Sequence, residues 1–185
     1  LLEADEQALF AQLGVFVGGF TLEAADAVCA AQNSEVPMLE QLASLVDRSM
    51  LQHARRENGQ PRFIMLETLR EYALEQLETC GQTWSARRQH WTYYLQLVES
   101  IEPQPREPDL PAWMKQLEEE HDNLRAALTW TLEQDEVEAA LRVVNELEAI
   151  ARALAGPYGP GPRGLDLRLS LVQGSPLGAT TANCL

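Results

Sequence analysis

The chain has 185 residues, 45% apolar and 23% charged, with 28 carboxylates against 14 lysines and arginines and a formal net charge of −14. That composition belongs to a globular chain long enough to bury a core, and it excludes the disordered and fibrous classes. So acidic a surface repels phosphate backbones and forgoes counterion release, which makes nucleic acid a poor default partner.

No apolar stretch approaches the roughly 18 to 20 residues of a membrane-spanning helix, and Leu1-Leu2-Glu3-Ala4-Asp5-Glu6 lacks the basic region of a signal peptide. A cytoplasmic chain without membrane partners is therefore expected. Cys29, Cys80 and Cys184 are odd in number and form no CxxC pair, so three ordinary thiols are expected rather than a disulfide framework or a zinc site.

In chain order, Ala8, Leu9, Phe10 and Leu13 predict a first helix over residues 3–13, followed by Val15, Phe16 and the flexible pair Gly18-Gly19. Thr21 can cap a second helix running to about Ala31, with Leu22, Ala25, Val28 and Cys29 inward. Pro37 suits the first turn of a third helix with Met38, Leu42, Leu45 and Val46 inward. The period then changes. Strands around Leu51-Gln52-His53 and Arg62-Phe63-Ile64-Met65 flank Glu57-Asn58-Gly59-Gln60, and Asn-Gly tolerates the positive φ angles of a tight hairpin turn. A fourth helix follows, with Leu66, Leu69, Tyr72, Ala73 and Leu77 as its buried stripe and Gly81 as its C-terminal cap. Three helices, a two-stranded ribbon and a further helix make a winged helix-turn-helix over residues 1–81.

Residues 82–155 are helical in period throughout. Trp84, Trp91, Leu95 and Val98 mark one face; Trp113, Leu117, Leu124, Leu128 and Leu132 a second; Val137, Leu141, Val144, Leu147 and Leu154 a third. Prolines 103, 105, 108 and 111 separate the first two. Successive antiparallel helices with aromatic and alanine positions predict the start of an α-helical, tetratricopeptide-like array. Residues 156–185 differ sharply. They hold six of the eleven glycines, four of the ten prolines and one acid, where the two preceding segments carry net charges of −8 and −7. They read as an irregular or disordered tail, out of frame with the rest. The expected fold class is mainly α.

Three stretches carry a resemblance: residues 13–25, beginning Leu13-Gly14-Val15-Phe16-Val17-Gly18-Gly19-Phe20-Thr21; residues 62–73, beginning Arg62-Phe63-Ile64-Met65-Leu66-Glu67; and Glu120-His121-Asp122-Asn123-Leu124-Arg125-Ala126-Ala127-Leu128. In that order and spacing, residues 1–155 resemble the middle region of large bacterial LuxR-type regulators, which join an NB-ARC-type signal-transducing ATPase (STAND) module to a winged helix and tetratricopeptide-like repeats. The resemblance implies a switch in which the winged helix packs on the nucleotide domain and reports bound ATP or ADP to sensor repeats. It implies ATP or ADP only on an upstream module, with that module, further repeats and other proteins as partners. In many relatives a Met-His-Asp triplet ends the second wing strand, and its histidine faces the nucleotide's phosphates. The matching triplet here is Met65-Leu66-Glu67, an expected interdomain contact, in which leucine cannot donate to phosphate.

No GxxxxGK[ST] phosphate loop is present, and the one lysine, Lys115, lies within Trp113-Met114-Lys115-Gln116-Leu117 on a helix. This chain is therefore not expected to be an enzyme. Arg48, Arg55, Arg56 and Arg62 are four of the five basic residues in 1–81 and are the candidate contacts to DNA or an acidic partner. Glu40 and Asp47 on the third helix oppose the DNA reading. His53, His90 and His121 lack metal-ligand spacing, the run Glu118-Glu119-Glu120 reads as a solvated helix face, and the tryptophans read as interhelix core. The expected function is a non-catalytic coupling and protein-interaction segment of an ATP-dependent transcriptional regulator. The alternative is a stand-alone winged-helix DNA-binding transcription factor.

Overall fold

The computed structural model describes residues 2–29, 36–55, 61–101 and 112–134, together with 141, 142 and 145. The elements run α1 (Ala4–Leu13), β1 (Phe20–Thr21), α2 (Leu22–Cys29), α3 (Met38–Asp47), β2 (Gln52–Arg55), β3 (Pro61–Ile64), α4 (Glu67–Thr79), α5 (Thr83–Glu99), α6 (Ala112–Glu119) and α7 (His121–Glu133). Two units divide the chain, Leu1–Tyr93 and Tyr94–Leu185. The predicted hairpin turn at 57–60, the proline-rich stretch at 103–111 and the tail at 156–185 lie outside the described residues. Most of the predicted third face of the array lies there too, and Leu141, from that face, is 41% exposed.

In the first unit the helix ends are fixed locally. The Glu3 amide at the start of α1 donates to the Glu6 carboxylate at 2.8 Å, and the Ala24 amide donates to Thr21 Oγ1 at 3.1 Å, which makes Thr21 the cap of α2. Pro37 stands one place earlier than predicted, as the N-cap of α3. At the end of α4, Gly81 has φ +68°; its amide donates to the Glu78 carbonyl at 2.9 Å and that of Gln82 to the Leu77 carbonyl at 3.2 Å. This is a Schellman closure, and it needs the left-handed residue that glycine supplies freely.

The same closure ends α3 with a serine in glycine's place. Ser49 has φ +60°, its amide donates to Val46, and the Met50 amide donates to Leu45, both at 2.9 Å. An L-residue is strained there. Ser49→Gly should therefore raise stability by about 0.5–1 kcal/mol, the relief of strain exceeding glycine's unfolded-state entropy. Urea unfolding of the two proteins measures the gain.

The wing has three strands where the sequence predicted two. They are antiparallel in the order β1-β3-β2, with Phe20 opposite Phe63 and Phe63 opposite His53. These three rings cross the sheet on one face, with centroids 5.9 Å apart for Phe20–Phe63 and 5.7 Å for His53–Phe63. Phe16 stacks on Phe20 at 4.6 Å and meets His90 edge-on at 5.2 Å. Leu9, Leu13, Val28, Leu42, Leu45, Leu51, Ala73 and Leu77 are buried in the same unit. On α4 the predicted stripe is too wide, since Leu66 and Tyr72 are 48% and 53% exposed. Trp84 is likewise 54% exposed, with the Arg88 guanidinium over its ring at 5.2 Å, whereas Trp91 is buried.

In the second unit Tyr94, Val98, Leu117, Leu124, Ala127, Leu128 and Trp130 are buried. Glu120 is buried with them, which corrects the reading of its acidic run as wholly solvated. Its Oε2 accepts the Tyr94 hydroxyl at 2.8 Å and the Asn123 side-chain Nδ2 at 2.9 Å, so a carboxylate withdrawn from water keeps hydrogen-bond partners. Glu118 and Glu119 remain exposed.

Candidate functional site

In a winged helix-turn-helix the surface that reads DNA consists of the outer face of the third helix and the wing. Successive residues on α3 turn by about 100°, so Leu39, Ala43, Asp47 and Glu40 fall on one arc of roughly a quarter turn, opposite the buried Leu42 and Leu45. All four arc residues are exposed, and Leu39, at 53%, is among the most exposed large apolar side chains of the first unit. Val36, just before the helix, is 47% exposed, and its carbonyl accepts the Gln41 side-chain Nε2 at 2.7 Å. The outer face of α3 is thus an apolar lane beside a lane of two carboxylates. It carries no cation.

Of the four candidate arginines, the two whose side chains are described, Arg48 and Arg62, are engaged away from this face. Arg48 caps the C-terminus of α3, with its Nε 3.4 Å from the Glu6 carboxylate and 3.5 Å from Ser44 Oγ. Arg62 on β3 is only 8% exposed, and its guanidinium donates to the Gly19 carbonyl at 3.1 Å and the Gly18 carbonyl at 3.4 Å. It fastens the turn before β1 and is itself buried. Arg55 lies on β2 opposite Pro61; its side chain, and all of Arg56, lie outside the described residues.

Met65, Leu66 and Glu67 join β3 to α4. Leu66 is the N-cap residue of α4 and is half-exposed, while Met65 is partly buried. The Glu67 carboxylate takes both arms of Arg70, at 3.0 and 2.6 Å, and a third guanidinium nitrogen reaches the Gly14 carbonyl at 3.5 Å. The hydrogen bonds from Arg70 hold the Glu67 carboxyl below its ordinary value of 4.5. Glu6 is lowered in the same way, first by the Ser44 hydroxyl, which donates to it at 2.5 Å, and then by the Glu3 amide. A carboxylate whose value is depressed on folding adds stability that is present above its unfolded value and is lost as pH falls through the folded one. Glu67→Gln should accordingly flatten the fall in stability as pH drops from neutrality through and below 4.5. Urea midpoints measured across that range for both proteins test this.

Cys29 is inert: burial pushes its thiol up to about 12. Cys80 is exposed at the C-cap of α4. Among the described residues no group of three or more His, Cys, Asp or Glu side chains could hold a metal ion. No helix among them is long and apolar enough to cross a membrane.

Residues 2–78 match the winged helix-turn-helix domain family. Over 151 residues the chain is 38% identical to proteins of Mycobacterium tuberculosis and Mycobacterium bovis that are provisionally named HTH-type transcriptional regulators; the match covers 81% of this chain and 17% of each relative. An uncharacterized protein of Mycobacterium tuberculosis is 37% identical over 86 residues, 44% of this chain and 21% of its own length. No solved structure matches the chain. The chain spans about a sixth of the length of the regulators, and its residues 2–78 are a winged helix-turn-helix domain within a mainly helical sequence.

Proposed function

We infer that this chain is a non-catalytic coupling and protein-interaction segment of a larger ATP-dependent transcriptional regulator, its winged helix joining a nucleotide-binding module to tetratricopeptide-like sensor repeats. The observation that carries the reading is the outer arc of α3, where a DNA-reading helix would present cations and this one presents Leu39, Ala43, Glu40 and Asp47. Phosphate is repelled there and an apolar protein surface is not. The similarity to a small part of much longer HTH-type regulators supports the context.

The triplet Met65-Leu66-Glu67 does not suit a phosphate. The Leu66 side chain has no donor to offer, and the neighbouring Glu67 carboxylate is already paired with Arg70. ATP or ADP therefore belongs to the nucleotide-binding module, and Leu66 serves as apolar contact area between modules. The chain itself, lacking a phosphate loop, should hydrolyse no ATP.

Titrating the chain into fluorescent random duplex DNA at several salt concentrations tests the reading. No binding at tens of micromolar protein and about 0.15 M salt is the expected result. Micromolar, steeply salt-dependent binding would overturn the reading in favour of a winged-helix DNA-binding transcription factor.

A further inference from the structure

Resting on the interaction reading above, we propose that the outer arc of α3 is the docking face for a cationic amphipathic helix of a protein partner. Two lanes run side by side along one helix: Leu39 and Ala43, one turn apart, and Glu40 and Asp47, two turns apart. Val36 extends the apolar lane at its N-terminal end. A helix laid along such a face buries its apolar stripe on the first lane and sets lysines or arginines against the second.

Charge selects the occupant. With thirteen acids against five bases in residues 1–81, anionic segments and nucleic acid are disfavoured at long range, while a basic segment is steered in. None of the four arc residues is spent inside the fold. Glu40 and Asp47 are exposed at the rim, in contrast to Glu6 and Glu67, which are held by Ser44 and Arg70.

The test uses the full 185-residue chain and two synthetic helical probes of equal length, one patterned with leucine and lysine and the other with leucine and glutamate. Micromolar binding of the lysine peptide, with the glutamate peptide at least about tenfold weaker, is the expected outcome. Leu39→Glu should weaken the lysine peptide by about tenfold even though it adds a negative charge, because it interrupts the apolar lane. The pair Glu40→Lys and Asp47→Lys should weaken it similarly. The control pair Glu71→Lys and Glu75→Lys, exposed on α4, should change it less than about twofold.

All these substitutions are at exposed positions, and far-UV circular dichroism confirms that each variant is folded. Tighter or unchanged binding by Leu39→Glu would reduce the effect to bulk charge and overturn the proposal. Equal losses in the control pair, or equal affinity for both peptides, would overturn it as well. The DNA titration, run in parallel, bears on the interaction reading alone, so the two failures are distinguishable.

Discussion

Phe20→Ala should lower the stability of the first unit by about 3–5 kcal/mol, more than any surface change considered above. The ring is 1% exposed. It stacks on Phe16 at 4.6 Å and on Phe63 at 5.9 Å, and its backbone belongs to β1, so truncation both opens a cavity and removes the side chain that seats an edge strand. Urea denaturation followed by tryptophan fluorescence measures the loss. A change below about 1 kcal/mol would mean that β1 is held by its backbone alone.

Gly19→Ala should cost about 2–4 kcal/mol for an independent reason. Gly19 has φ +99°, outside the regions an L-residue adopts readily, and an added Cβ would lie 2.8 Å from the Phe63 carbonyl and 3.1 Å from Arg62 Nε. The carbonyl is fixed in the sheet, so the turn itself must move. Its movement would break the bond from Arg62 to the Gly19 carbonyl and leave a buried guanidinium short of an acceptor. The same denaturation measurement applies, and Gly18→Ala provides a comparison, since Gly18 is also at positive φ but is exposed.

The helices were legible because their signals are local. Thr21 as a cap, Gly81 as a left-handed terminator and the paired apolar positions on α1 and α3 each act within a turn or two of themselves. β1 was not legible: two residues carry no period, and their strand character comes only from pairing with Phe63 and Arg62. Gly18-Gly19 was visible as a flexible pair, and what it joins was not.

Arg62 misleads for a related reason. A cation in a strand reads as solvent-facing or partner-facing, yet this one satisfies two carbonyls on a turn far away in sequence. On α5 the positions buried at four-residue spacing are Ala86, His90, Tyr94 and Val98, a row that includes a histidine and a tyrosine, and an apolar template skips both. Glu120 is hidden in an acidic run because burial depends on Tyr94 and Asn123, which composition does not weigh. Of the candidate interaction face, the acidic positions Glu40 and Asp47 were legible. The exposure of Leu39 was not, since it follows from which side of α3 meets the core.

The two edges of the sheet also differ in how late they can form. β2 and β3 are joined by a short connection and can pair as soon as that stretch of chain exists, whereas the contact between β1 and β3 closes a loop of 43 residues containing α2 and α3. Loop-closure entropy and the dependence of folding speed on sequence separation put that contact after the hairpin and after the helices it encloses. Changes at Phe20 or Gly19 should then speed unfolding far more than they slow refolding, giving this domain a kinetic weak point at its smallest strand.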